Sequence, residues 1–245
     1  MNKYTDIVKK IHSSPFKITF VSSGGGTNAI SSLLEVPGAS DTILESYIPY
    51  SKESMDQFLN RKPDHYCSLD TCLSMGANAF KKSREIASKT KSKYLLGLAI
   101  TANLATTYEK KGDHKFFIVL QAHDYTKYLE CFLEKGKRTR NEEEELITAC
   151  AISLLADSCS LNYPLPEIEE KISIEKVIAE RPWKKLFNNK VGFISNNRNN
   201  PELIFPGSFN PLHDGHMKMK ELAERKTGMH TTFEICAKNA DKPPL

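Results

Sequence analysis

Three groups of residues have the types and spacing that chemistry needs. The first is Ser22-Ser23-Gly24-Gly25-Gly26-Thr27. A glycine loop entering a helix exposes backbone N–H groups at a positive helix end, where a phosphate or carboxylate can sit, although glycines also serve merely to turn a corner. The second is Ser40, just after Pro37-Gly38, with Tyr50 and Lys52 one strand-length further on. A serine there acts as a nucleophile if a neighbour takes its proton; the bland alternative is a helix-capping serine beside an interface tyrosine. The third is the run from Pro206 to His216, in which Gly207 permits close backbone approach and His213 and His216 flank Gly215 at a helix start. Imidazoles so placed can donate hydrogen bonds to phosphate oxygens.

The surrounding elements follow from periodicity. Lys17–Val21 reads as a strand and Asn28–Val36 as a helix with Ile30, Leu33 and Leu34 at helical spacing, ended by Pro37 and Gly38 ahead of a strand at Thr42–Ile48. Tyr4–Ile11, Met55–Leu59 and Ser68–Lys89 are amphipathic helices, and His12 is a helix-end histidine. Tyr94–Ile100 is a nearly continuous apolar run, hence a central strand covered on both faces. It ends at Thr101, which either lines a ligand crevice beyond the strand end or simply caps the strand. His114–Leu120 and Tyr125–Leu133, joined at His123-Asp124, form a hairpin that makes the sheet mixed.

Arg138 and Arg140 precede the next helix and could clamp a phosphate, while Asn141 is a candidate N-cap and the four glutamates after it complement the helix dipole. Leu146, Ile147, Cys150, Leu154 and Leu155 form that helix's buried stripe. The fold class is therefore α/β, a three-layer domain with a mixed sheet over residues 1–161. Pro164 and Pro166 open a linker, 162–200, in which Glu167–Glu180 is charged and weakly helical. A second, incomplete Rossmann-like unit spans 201–245, with strands at Glu202–Phe205 and Phe233–Ala237 around a helix at Met217–Arg225.

Composition bounds the function. A chain of 245 residues that is 40% hydrophobic and 26% charged is globular rather than disordered, and a net charge of +4 is too slight to imply nucleic acid. No apolar run approaches bilayer length and the N-terminus lacks a signal-peptide core, so a cytoplasmic protein without membrane contact is expected. Six cysteines without a Cys-x-x-Cys pair read as free thiols, with no metal site.

Ser23, the glycine loop, the Val-Pro-Gly-Ala-Ser turn ending at Ser40 and Tyr50-Ser51 resemble the C-terminal domain of the CinA family, the nicotinamide mononucleotide deamidases. The resemblance implies a serine amidohydrolase acting on a pyridine mononucleotide without a cofactor. Ser40 would be its nucleophile, and Tyr50 and Lys52 would handle the proton. Ser23, Gly25, Gly26, Thr27, Thr101, Arg138 and Arg140 would hold the substrate. Against the family's Glu-Ser-Cys-Thr-Gly-Gly and Tyr-Ser-Asn, Ser22 replaces the glutamate, Gly24-Gly25-Gly26-Thr27 replaces the last four residues, and the lysine comes early as Lys52. The chemistry is therefore less well matched than the binding.

The second run resembles the His-x-Gly-His signature of cytidylyltransferase-like nucleotidylyltransferases. By that likeness Gly207, Ser208 and Phe209 form the phosphate loop, His213 and His216 contact a nucleoside triphosphate with Mg²⁺, and Lys242 contacts substrate. The 42 residues from Ile204 to Leu245 fall short of the roughly 100 such a domain needs, so nucleotidyl transfer is not expected of this chain by itself. The alternative reading is a non-catalytic nucleotide-binding or assembly domain of a larger nucleotidylyltransferase. A small-molecule nucleotide is the expected partner and a homo-oligomer the expected state.

Overall fold

The computed structural model describes residues 2–108, 110–187, 190–196, 201–209 and 212–235. The chain forms two units, Met1–Lys184 and Lys185–Leu245.

In the first unit α1 (Thr5–His12) leads to β1 (Lys17–Ser23), the glycine loop and α2 (Thr27–Leu34), then α3 (Ala39–Thr42) and β2 (Ile43–Tyr47). Next come α4 (Lys52–Leu59), α5 (Leu69–Ile86), β3 (Leu95–Asn103), β4 (His114–Gln121), β5 (Tyr125–Leu133), α6 (Arg140–Ser158) and β6 (Ile172–Ile178). The strands form one sheet in the order β2-β1-β3-β4-β5-β6. The first three run parallel and the last three antiparallel, the mixed sheet that the hairpin required.

Side chains of β1 and β3 are buried on both faces, as their unbroken apolar runs demand. One face packs with α1, α2 and α6 through Phe20, Leu98, Ile118, Ile147 and Leu155; the other packs with α5 through Val21, Met75, Ala99 and Val119. Gly97 allows the second contact, because a side-chain carbon there would lie 2.3 Å from the Phe80 nitrogen and 2.5 Å from the Gly76 oxygen. A register shift between Ile18 and Thr19 frees the Thr19 N–H, which donates to Ser83 Oγ of α5 at 3.0 Å.

Two expectations are corrected, and two residues gain detail. Glu167–Glu180 is not helical: β6 pairs along β5, from Tyr125↔Ile178 to Cys131↔Ile172, so residues 162–184 belong to the first unit rather than to a linker. Ile172 and Ile174 on one face and Val177 on the other found a strand edge to pair with, which outweighs weak helical propensity. The N-cap of α6 is Thr139, not Asn141. Its hydroxyl accepts from the Glu142 N–H while Glu142 Oε2 accepts from the Thr139 N–H, a closed capping box. Ser40 is exposed, on the one-turn helix α3 that follows Gly38. His12 ends α1 as expected and is also buried, its Nε2–H donating to the Leu33 carbonyl at 2.9 Å and its Nδ1 accepting from the Thr42 hydroxyl at 3.0 Å.

The second unit contains β7 (Leu203–Gly207), α8 (Asp214–Thr227) and β8 (Thr231–Ile235), with the strands paired in parallel. The helix α7 (Arg181–Phe187) lies where the units divide.

Candidate functional site

The carboxyl ends of β1 and β3 lie side by side, with Ser23 opposite Thr101 in the register. The Ser23 hydroxyl donates to the Pro49 carbonyl at 3.0 Å, which ties the segment after β2 to this edge. Thr101, almost fully buried, donates to the Tyr66 carbonyl at 2.9 Å. Tyr50 is 68% exposed, and Lys52, the first residue of α4, has its ammonium 5.8 Å from the Tyr66 ring centre. Both hydroxyl protons are thus directed at backbone carbonyls, and a hydroxyl whose proton goes to a carbonyl gains no nucleophilic character from that bond.

Ser40 does not join this group. It precedes Ile43, which pairs with Ile18 near the start of β1, whereas Tyr50 follows Tyr47, which pairs with Val21 near its end. Four strand steps of about 3.3 Å put roughly 13 Å between the two ends of β2. The backbone carbonyl next to Ser40, that of Asp41, accepts from the Lys17 ammonium at 3.0 Å, which fixes this corner at the amino edge of the sheet. The sequence-based grouping of Ser40 with Tyr50 and Ser23 is therefore not what the topology assembles.

The glycine loop makes an anion cradle, and a residue of the chain fills it. Glu144 of α6 reaches over the loop: its Oε2 accepts from the Gly26 N–H at 2.7 Å, and its Oε1 accepts from the Asn28 N–H at 3.1 Å and the Thr27 hydroxyl at 3.2 Å. Gly24, at φ +79°, is required here, because a side-chain carbon would lie 2.0 Å from the Ala102 carbonyl oxygen. Gly25 and Gly26 are buried, and the Ser22 hydroxyl donates to the Gly25 carbonyl to hold the turn.

The two arginines serve the fold at this edge. Arg138 forms a two-pronged ion pair with Glu170, Nη2 to Oε2 at 2.8 Å, both side chains being mostly buried. That contact holds the Glu170 carboxyl down at about 2 and raises the guanidinium. Arg140 donates to the Ala105 and Gly24 carbonyls at 3.2 and 3.1 Å.

Each acidic residue that begins α6 has its own partner. Beside Glu142 in the capping box and Glu144 on the loop, buried Glu143 accepts from the Ala105 N–H at 2.6 Å and meets His114 Nδ1 at 2.8 Å. Glu145 accepts from the Tyr4 hydroxyl at 2.6 Å and pairs with Lys3. Sequence reasoning assigned all four to the helix dipole. A usable signal was spacing, since Glu143 lies three and four positions before Leu146 and Ile147 and so falls on the buried stripe.

In the second unit, His213 is the N-cap of α8 and its Nδ1 accepts from the Gly215 N–H at 3.2 Å, while His216 Nδ1 accepts from the His213 N–H at 3.4 Å. The two rings stack with centres 3.8 Å apart, and Phe209, at φ +47°, meets His216 edge-on. Gly207 ends β7 and Ser208 follows it; Lys242 lies outside the described residues. Burial pushes the Cys131 and Cys150 thiols up to about 11 and about 12, and raises Cys67 as well, so these sulfurs stay protonated. Among the described residues, no group of three or more His, Cys, Asp or Glu side chains could hold a metal ion, and no helix is long and apolar enough to cross a membrane.

No protein-family model matches the chain, and no curated protein matches it significantly in sequence. Solved structures do match it in three dimensions. The competence/damage inducible protein CihA from Agrobacterium tumefaciens is 15% identical with a TM-score of 0.51, covering 63% of this chain and 94% of that one. A competence-damaged protein (CinA) superfamily member from Klebsiella pneumoniae is 11% identical with a TM-score of 0.53, covering 65% and 97%. Another from Enterobacter cloacae is 13% identical with a TM-score of 0.51, covering 64% and 91%. The six-stranded unit has a CinA-like fold. At these identities the likeness extends to the architecture of the CinA-like unit, and its chemistry has to be argued from its own side chains.

Proposed function

We propose that the CinA-like unit is a non-catalytic binding or assembly domain, joined to the opening strand, phosphate loop and helix of a nucleotidylyltransferase, and not an amide hydrolase. The observation that carries this reading is Glu144. A carboxylate with three donors already occupies the cradle that a substrate phosphate would need. The commitment of the Ser23 and Thr101 protons to carbonyls and the distance of Ser40 from Tyr50 point the same way.

For the second unit, β7, the loop, α8 and β8 make the strand-loop-helix-strand order that phosphate sites use. Because each Nδ1 accepts from a backbone N–H, a neutral His213 or His216 carries its proton on Nε2, a donor suited to a phosphate oxygen. The likeness to nucleotidylyltransferases brings a nucleoside triphosphate and Mg²⁺ as co-reactants, and no residue of this chain is assigned to the metal.

Incubation of the full chain with nicotinamide mononucleotide, reading ammonia, tests the first half of the proposal. Ammonia at the blank level is expected. Turnover that disappears in Ser40→Ala or Ser23→Ala would overturn it in favour of the amidohydrolase. Calorimetric titration with magnesium ATP and magnesium CTP tests the second half: binding is expected to be lost in His213→Ala, and binding unaffected by that change, or no binding at all, would refute it.

A further inference from the structure

A cleft of about 440 Å³ opens where the carboxyl end of α6 meets the sheet, a volume in the range of small-molecule sites. Asp157, on its wall, lies about 20 Å along the helix axis from Glu144, so this is a separate place from the glycine loop. Lys127 of β5 and Ile174 of β6 come from the sheet. Lys127 is two residues before Leu129, and Ile174 pairs with Leu129, so all three share the face turned toward α6. Leu154 of α6 and Leu165 of the returning segment add apolar wall.

The walls are fixed by contacts of their own. The Ser153 hydroxyl donates to the Tyr163 carbonyl at 2.8 Å, and the Tyr163 ring meets Tyr4 edge-on at 6.4 Å, which pins the returning segment. Helix α6 ends in a Schellman turn, the Leu161 N–H donating to the Ala156 carbonyl at 2.8 Å and the Ser160 N–H to the Asp157 carbonyl at 2.9 Å. That turn needs a left-handed residue, a place glycine usually fills, yet here it is Ser160, at φ +60° on the cleft wall. The lining carries one cation and one anion, Lys127 and Asp157, paired Nζ to Oδ2 at 2.8 Å. The lysine side chain is 16% exposed and the carboxylate 59%.

We propose that this cleft binds a free α-amino acid with an apolar side chain. The lining is neutral overall, so a ligand of net charge would set a like charge against either Lys127 or Asp157, whereas the ammonium and carboxylate of one amino acid match both at once. The ligand ammonium goes to Asp157, at the end of α6 where the helix dipole favours a cation. Its carboxylate goes to Lys127 and the Ser160 hydroxyl, which gives a purpose to a serine where glycine would turn the chain more easily. Its side chain lies against Leu154, Leu165 and Ile174.

Calorimetric titration of the full chain with L-leucine tests this, with saturable binding tighter than about 1 millimolar expected. N-acetyl-L-leucine, which keeps only the anion, L-leucinamide, which keeps only the cation, and glycine, which lacks the apolar side chain, should each bind at least about tenfold more weakly. Lys127→Met and Asp157→Asn should each weaken leucine binding by at least about tenfold. Ser160→Gly relieves the left-handed backbone, so it should unfold at a higher temperature than wild type and still bind leucine more weakly, a combination that misfolding does not produce. No saturable binding of leucine, acetylated or amidated leucine bound as tightly as leucine itself, or affinity unchanged in Lys127→Met, Asp157→Asn or Ser160→Gly would overturn the proposal.

Discussion

Replacing Glu144 by alanine removes the acceptor from three donors at the glycine loop, and the cost is worked donor by donor. The Asn28 N–H and the Thr27 hydroxyl belong to exposed residues, so water replaces the carboxylate there at little cost. Gly26 is buried, and a buried N–H left without a partner costs about 1–3 kcal/mol. Loss of a negative charge at the positive end of α2 adds about 0.3–1 kcal/mol. The sum is on the order of 2–3 kcal/mol, which for a unit of this size lowers the melting temperature by roughly 4–12 °C. Glu144→Gln keeps one acceptor oxygen but turns an amide N–H toward a donor, so it should fall between the two. The assay is thermal unfolding of the full chain, with amide exchange at Gly26 and Asn28 assigning the change to the loop. Inorganic phosphate should recover stability in Glu144→Ala by occupying the vacated cradle, and should leave the wild type unmoved. An alanine variant within 0.5 kcal/mol of wild type, on the ordinary scatter of surface changes, would refute the reasoning.

Other consequences can be measured in the same preparation. Glu170 is held from its ordinary 4.5 down to about 2 by Arg138; a depressed carboxyl stabilises fully above its unfolded value and loses that contribution as pH falls through the folded one. Arg138→Met should therefore cost on the order of 2 kcal/mol at neutral pH, and the gap from wild type should close between pH 4.5 and about 2 in acid titrations of stability. Gly24→Ala combines a left-handed backbone with a carbon 2.0 Å from a carbonyl oxygen and should cost at least about 2 kcal/mol by urea unfolding; a neutral result would mean the loop can rebuild. Thr139→Ala opens the capping box of α6 and should cost about 1 kcal/mol, whereas Asn141→Ala should be silent in the same measurement.

Much of the architecture was legible because its cause is local. The alternation and apolar content of His114–Leu120 and Tyr125–Leu133, with two polar turn residues between, give both strands and their antiparallel pairing; β5 spans Tyr125–Leu133 as the sequence predicted. Strand β3 declares itself central through an unbroken apolar run, and the glycines announce a tight strand-to-helix corner. By contrast, β6 was hidden in a charged stretch, because a strand at a sheet edge needs only a neighbour's free hydrogen-bonding groups and little apolar surface of its own. Local periodicity cannot see that neighbour.

The site divides along the same line. By itself the sequence marked residues 22–27 as a strand-to-helix glycine corner with N–H groups to offer and Thr101 as a strand end; the register places Ser23 beside Thr101. Tertiary structure alone decided what the corner holds. The donor N–H of Gly26 and the carboxylate of Glu144 are 118 positions apart, and their meeting depends on α6 crossing the sheet with its first turn over the loop. It also decided that Ser40 is remote, since a parallel strand β2 carries Ser40 and Tyr50 to opposite ends, however near they are in the chain. Sequence motifs specify which groups a loop can offer; the packing of distant elements specifies which partner reaches them first.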